Sequence, residues 1–268
     1  MRAKPVTPYP ELNAVLHEFV SGLRDVLGEE LLAVYLQGSF AVGDYDQDSD
    51  VDFLVAVRQS LSEDAIGRLQ RLHSGIFHDK CAWAQHLEGS YFPLEILKAA
   101  QPSRRPLLYL DNAHEQLEWS THDDTRVVRW VVREYGILLA GPAAATLIEP
   151  VSGDDLRSEI RATMRDWAQK ILADPQQMNN RWYQPYAVLS YCRMLHTLQT
   201  GRVASKLAGA RWAEGALEPR WIPLIRRAGL ERPDPGLKVR QPADPDDFAS
   251  TLEFIRYALA KGSIEMNL

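Results

Sequence analysis

Cysteine is scarce in this chain. Cys81 and Cys192 are its only two, which excludes a disulfide framework as the source of its stability. Long apolar runs are missing as well: none reaches the roughly 18 residues that a membrane helix requires. The opening "MRAKPVTPYPEL" meets prolines and Glu11 before any apolar core, unlike a secretory leader, so a cytoplasmic location is expected. Excess positive charge is absent. With 30 Lys and Arg against 36 Asp and Glu the net charge is −6, the wrong sign for a sequence-blind nucleic-acid binder and the right one for attracting a small cationic ligand. The histidines form no metal set, since His73 and His78 are five apart rather than four. What is present is 268 residues, 46% of them hydrophobic, enough for one large domain or two ordinary ones.

Residues 12–27 carry Leu12, Leu16, Phe19 and Leu23 at helical spacing. The runs "LLAVYLQG" (31–38) and "VDFLVAV" (51–57) predict strands, residues 62–78 a second helix, and "CAWAQHLEGSYFPL" (81–94) a third strand closed by Pro93. "KAAQPSRRPLLYLDNAHEQLEW" reads as irregular, His122 with Asp123 and Asp124 as a helix cap, and "TRVVRWVVREYGILLAGP" (125–142) as a helix ended by Gly141-Pro142. This first part is a mixed α/β pattern. After Pro150 the pattern is helical throughout, with Ser205 as a cap, Pro219 as a helix opener, a proline-rich loop over 231–247 and a last helix carrying Phe248, Leu252, Ile255 and Leu259. The boundary falls near Glu149–Gly153, dividing the chain into residues 1–152 and 153–268.

The chemistry concentrates in "GSFAVGDYDQDSDVDFLV" (38–55). Residues two apart on a strand share a face, so Asp50 and Asp52 aim together while Val51, Phe53 and Val55 point to the core. Two carboxylates a few ångströms apart repel unless a cation joins them. Mg²⁺ suits them, being a hard ion that needs one or two carboxylates plus phosphate oxygens. Upstream, Gly38 permits a tight turn and Ser39 offers a hydroxyl and an N–H to phosphate. A third acid is expected from another strand. Glu88 is the only acid in "CAWAQHLEGSYF", and its roles are metal ligand, general base, or both.

The order G-S, spacer, D-x-D, later acid resembles the signature of the nucleotidyltransferase superfamily founded on DNA polymerase β. "VVREYGILLAGP" and "VLSYCRMLHTLQTGRVASKLAGARWA" look like the C-terminal helical domain of the aminoglycoside adenylyltransferases that modify streptomycin and spectinomycin. The resemblance implies an α/β (α+β) nucleotidyltransferase domain with a mixed sheet, then an all-α helical-bundle domain closing an interdomain active-site cleft. It implies Gly38 and Ser39 on the triphosphate with Ser49 beside it, two Mg²⁺ on Asp50 and Asp52, Glu88 as base, and Arg193 and Lys206 reaching the ATP phosphates. The physics of the last two agrees: Arg193 sits on an otherwise apolar helix and needs a partner, and Lys206 opens a helix, where the dipole favours an anion.

ATP is thus the expected co-substrate and a hydroxyl of a cationic aminoglycoside or aminocyclitol the acceptor, in a monomer that engages neither membrane nor nucleic acid; antibiotic resistance is the implied role. The position ten before Arg193, acidic in the streptomycin enzymes, is Tyr183 here. Asp166, Asp174, Glu118, Asp123 and Asp124 are candidate replacement acids, and Trp119, Trp182 and Tyr183 candidate walls for the substrate. A protein hydroxyl as acceptor, as in toxin–antitoxin pairs, is an alternative reading. An inactive nucleotide-binding module is another, opposed by the presence of all three acids.

Overall fold

The computed structural model describes residues 5–47, 49–79, 81–230 and 241–264. The chain divides into two compact units, residues 1–151 and 152–268.

In the first unit, helix α1 (Pro10–Leu27) buries the stripe Leu12, Val15, Leu16, Phe19 and Leu23. Strand β1 (Leu31–Leu36), the short helix α2 (Gly38–Val42) and strand β2 (Val51–Val57) follow. Helix α3 (Glu63–Phe77) starts where the Ser62 side chain accepts from the Ala65 N–H. Then come β3 (Leu87–Pro93), α4 (Leu94–Lys98), β4 (Leu107–Leu110), β5 (Leu117–Ser120), α5 (Arg126–Tyr135) and β6 (Ile137–Ala140). The sheet order is β5-β4-β3-β2-β1-β6. The β2–β3 pair is parallel and the other four pairs are antiparallel, so the sheet is mixed.

Each sheet face has its own core. Val34, Leu36, Phe53, Val55, Tyr91 and Leu108 pack with α1 and α3. Ala33, Tyr35, Leu54, Ala56, Phe92 and Leu107 pack with Ile96 and Leu97 of α4 and Val132 of α5. Because side chains alternate along a strand, Asp52 and Glu88 fall on the second face, beside Leu54 and Phe92.

Three expectations for this unit are corrected. The segment 81–94 is not all strand. Ala82–His86 form a 3-10 turn whose Trp83 ring packs against Tyr9 and Phe40, and pairing begins only at Leu87. The segment 98–119 is not irregular throughout: it holds β4 and most of the short edge strand β5. The helix expected over 125–142 ends at Tyr135. Gly136 takes an extended ψ of 125°, and the apolar run "ILLA" pairs with β1 instead of continuing the helix. Gly141 follows at φ +91°, against the Leu32 carbonyl, where a Cβ would not fit.

The cap of α5 is also not what the acids suggest. Thr125 caps it, accepting from the Val128 N–H at 3.1 Å. Asp124 is instead buried in an ion pair with Arg129 at 2.7 Å. Its other oxygen accepts from Ser103 Oγ and the Arg104 N–H at 2.8 and 2.9 Å, while Arg129 donates to the Ile96 carbonyl at 2.9 Å. One buried pair thus ties the end of α4, the following loop and the start of α5 together.

The second unit is helical: α6 (Gly153–Ala173), α7 (Tyr183–Thr200), α8 (Lys206–Ala216), α9 (Ile222–Leu230) and α10 (Pro245–Ile264). Helix α7 is buried nearly all round, from Ala187 through Leu198, because α6, α8, α9 and α10 all pack on it. Gly209 of α8 lies against the Arg193 backbone, where a Cβ would come within 2.7 Å of its Cα. Ser205 caps α8, accepting from the Ala208 N–H at 3.0 Å. Pro219 opens a 3-10 turn that precedes α9. Of the expected loop over 231–247, residues 231–240 lie outside the described residues, and its end is helical because Asp244 accepts from the Asp246 and Asp247 N–H groups at 2.9 and 3.2 Å.

Replacing Arg129 with Met should leave Asp124 buried without its cation and cost about 3–5 kcal/mol. Urea denaturation measures this, and adding Asp124→Asn to the same chain should return part of the loss.

Candidate active site

The parallel pairing of β2 with β3 places Asp52 directly opposite Glu88. Asp50 stands two residues before Asp52, at the entry to β2. Its carboxylate accepts a hydrogen bond from the Asn112 side-chain amide. Gly38 comes next to them because β1 ends beside the start of β2, the Gln37 N–H donating to the Asp52 carbonyl at 2.8 Å. Gly38 has φ +59°, and a Cβ there would overlap the Asp52 carboxylate. Only glycine satisfies both conditions.

Ser39 follows with a buried hydroxyl that has no hydrogen-bond partner among the described residues, a state that costs free energy unless a ligand supplies one. Helix α2 itself is anchored by Phe40, buried and stacked on Tyr45 at 4.6 Å. Ser49 is occupied otherwise: its hydroxyl donates to Asp46 Oδ1 at 3.0 Å and accepts from the Asp46 N–H at 2.9 Å, closing the turn before β2.

Around Glu88 lies a polar network that the linear pattern does not announce. Glu88 Oε1 accepts from the Tyr109 hydroxyl at 2.7 Å, and the same hydroxyl is 3.1 Å from Asp111 Oδ1. His122 Nε2 is 3.9 Å from Glu88 Oε1. Ser90 Oγ donates to the buried Asp123 at 2.8 Å. Burial, with the negative charges of Asp50 and Asp123 adding to it, pushes Glu88 up from 4.5 to about 7; the Tyr109 hydrogen bond and His122 oppose the shift. Burial likewise raises Asp123, and burial with the charges of Glu88 and Asp111 raises the Tyr109 phenol. A carboxyl balanced near neutrality is suited to accepting a proton. No group of three His, Cys, Asp or Glu side chains placed to hold a metal ion is present among the described residues.

Tyr109, Asn112 and Asp111 are site residues that the sequence does not single out. They sit in a stretch without clear periodicity, where the tyrosine interrupting the apolar run "LLYL" is the available signal. Trp119 does not join the carboxylates. It pairs with Leu108 on β4 while its neighbour Glu118 pairs with Tyr109, so Glu118 shares the face of Glu88 and Trp119 lies on the other. Asp124 is not available as a replacement acid, being consumed by Arg129.

The remaining predicted residues belong to the second unit. Arg193 is half-buried on α7. The Lys206 ammonium lies 4.5 Å from the centre of the Tyr186 ring. Trp182, Tyr183 and Tyr186 stack on one another, with the Trp182 and Tyr186 rings 5.1 Å apart, and Trp167 Nε1 donates to the Tyr183 hydroxyl at 2.9 Å.

Known proteins resemble both halves. Residues 20–100 match the family model of the nucleotidyltransferase domain, and residues 146–253 match that of the aminoglycoside adenylyltransferase C-terminal domain. An aminoglycoside (3'') (9) adenylyltransferase of Shigella flexneri is 28% identical over 240 residues, covering 81% of this chain and 84% of that protein. A spectinomycin 9-adenylyltransferase of Staphylococcus aureus is 26% identical over 215 residues, covering 76% and 78%. The fold is shared with the spectinomycin adenyltransferase AAD(9) from Enterococcus faecialis, whose crystal structure holds ATP and spectinomycin. That likeness has a TM-score of 0.65 at 16% identity, over 93% of this chain and 98% of the other.

Two predictions follow from the geometry around Asp52 and Glu88. Gly38→Ala should lower the unfolding midpoint sharply, whereas Gly43→Ala, at φ +73° with nothing within 4 Å of the added methyl, should cost about 1 kcal/mol; paired thermal melts compare them. Glu88 is raised from 4.5 to about 7 in the folded chain, so folding favours its protonated form. The stability this brings is full below pH 4.5 and lost as pH rises through 7. Glu88→Gln, which cannot ionise, should therefore gain on the wild type across that window by up to about 3 kcal/mol, in urea titrations run at several pH values.

Proposed function

Since this chain belongs to the aminoglycoside adenylyltransferase family and is a nucleotidyltransferase, we propose that it transfers AMP from Mg·ATP to a hydroxyl of a streptomycin- or spectinomycin-like antibiotic, releasing pyrophosphate. The observation that carries this reading is the placement of Asp52 opposite Glu88 across a parallel strand pair, with Gly38 folded against the Asp52 carboxylate.

Magnesium fits the residues present. The donors are carboxylate oxygens, the preference of a hard ion, and the negative charges of Asp50 and Asp123 both act on Glu88. Asp50 and Asp52 would hold the two ions that the family resemblance implies, and the ions, when bound, would neutralise charge on the triphosphate. The chain's own residues do the rest. Gly38 lets the backbone approach the phosphates, and Ser39 supplies its unpartnered hydroxyl. Glu88 takes the proton of the acceptor hydroxyl as that oxygen bonds to the α-phosphorus and the bond to the bridging oxygen of pyrophosphate breaks.

Arg193 and Lys206 are assigned to the phosphates by resemblance. Trp182 and Tyr183 are assigned to the ring face of the acceptor, supported by their stacking with Tyr186. Glu118 and Asp123, on the face of Glu88, are the candidates for holding its ammonium groups, in place of the acid absent at Tyr183. A protein hydroxyl as acceptor is not favoured, because the second unit matches the C-terminal domain of enzymes that act on aminoglycosides.

Incubation of the purified protein with Mg·ATP and a panel of aminoglycosides and aminocyclitols, read by mass spectrometry, should show one AMP added to at least one compound. Asp50→Asn and Asp52→Asn should each lower the rate by ~10³-fold or more. Undiminished pyrophosphate release by either variant would remove these residues from the reaction, and an unmodified panel would remove the antibiotic as acceptor.

A further inference from the structure

The proposed base is a glutamate, with three side-chain torsions to fix before its oxygen meets a substrate proton. Positioning of this kind accounts for much of the rate in transfer reactions that pass through little covalent chemistry with the protein. A side chain left to sample several rotamers would spend most of its time misaligned.

One group in the structure is arranged to prevent this. Tyr109 lies on β4 opposite Ser90 of β3, two residues along from Glu88 on the same sheet face. Its ring is almost fully buried, so its hydroxyl has little freedom of its own. The hydroxyl contacts Glu88 Oε1 at 2.7 Å and Asp111 Oδ1 at 3.1 Å. Asp111 is fixed in turn by the Asn112 N–H, which donates to the same oxygen at 3.0 Å. The His122 ring packs against the phenol with centroids 5.4 Å apart. The phenol has one proton and two carboxylate acceptors, so it can bond Glu88 while that group is ionised and turn to Asp111 once Glu88 is protonated.

We propose that Tyr109 is a positioning residue for the transfer, holding the Glu88 carboxylate in a single rotamer through its hydroxyl. This rests on Glu88 being the base. In this role Tyr109 acts through Glu88. The same ring without its hydroxyl would fill the same space in β4, so the hydroxyl can be removed with the packing kept.

The test is a double-mutant cycle on steady-state kinetics with Mg·ATP and the best acceptor of the panel. Tyr109→Phe should lower kcat about 10-fold and leave KM for ATP unchanged. Glu88→Gln should lower kcat by ~10²-fold or more. Adding Tyr109→Phe to Glu88→Gln should cost less than about 2-fold further, because there is no base left to position. A structural role would cost the same in both backgrounds, and that result would overturn the proposal. So would an unchanged kcat in Tyr109→Phe beside a disabled Glu88→Gln, which leaves the base assignment standing. Full activity in Glu88→Gln would overturn the base and this proposal together. Should Tyr109→Phe not fold, Asp111→Ala, at a half-exposed position, removes the acceptor that competes with Glu88 for the phenol proton. It should raise kcat about 2-fold with Glu88 present and leave it unchanged in the Glu88→Gln background; the same change in both would overturn the proposal.

Discussion

Two neighbouring strands that run in the same direction, each delivering an acid at its entry, are what the first unit is built to hold. The register that sets Asp52 against Glu88 is held by seven consecutive residue pairs, from Val51↔Leu87 to Val57↔Pro93. Slipping it by one residue would turn Phe53 and Val55 out of one core and Leu54 and Ala56 out of the other. The two hydrophobic cores therefore fix where the charges go. Any repulsion between the acids works against a register whose loss would expose both faces at once. The displaced proton equilibrium on Glu88 comes first from its burial, with the charges of Asp50 and Asp123 adding to it.

The same constraint explains features that look unrelated along the chain. Gly38 is glycine because the Asp52 carboxylate fills the space a Cβ would need. Trp83 sits on a turn and not in a strand because residues 82–86 must bring the chain from α3 to the entry of β3, where Glu88 is the second residue. The β4–β5 hairpin closes the far side, and from it come Tyr109 to bond Glu88 and Asn112 to bond Asp50.

What was legible in the sequence was whatever repeats or contrasts locally. The stripe of α1, the apolar strands β1 and β2, and the serine cap of α8 announce themselves within a few residues. The acids at 50 and 52 stand out because they enter a strand with the core-facing positions between them left apolar. The residues that needed tertiary context were lost. β6 has four residues of apolar sequence following an apolar helix, and only the free edge of β1 decides that they pair. β5 alternates too briefly to be seen. Tyr109 and Asn112 act through contacts 21 and 62 residues away in sequence, for which a single sequence carries no sign. Helix α7 was legible from its apolar positions and its stop at Gly201, while the burial of nearly every face of it by four neighbouring helices was not.

Charge then links fold to function. Carboxylates at Asp50 and Asp52, with Glu88 and Asp123 close behind, would repel a triphosphate by themselves. On the proposed reading, a nucleotide would settle there with cations accompanying it and a cationic acceptor without them. An acidic sheet end of this kind would then order its ligands by sign. It would take the anionic one as a metal complex and draw the positively charged one directly. Burial, with the charges of Asp50 and Asp123 added, brings the proton affinity of Glu88 near neutrality, where the proposed role of proton acceptor needs it. The strand pairing that sets Glu88 opposite Asp52 also puts it in that buried place.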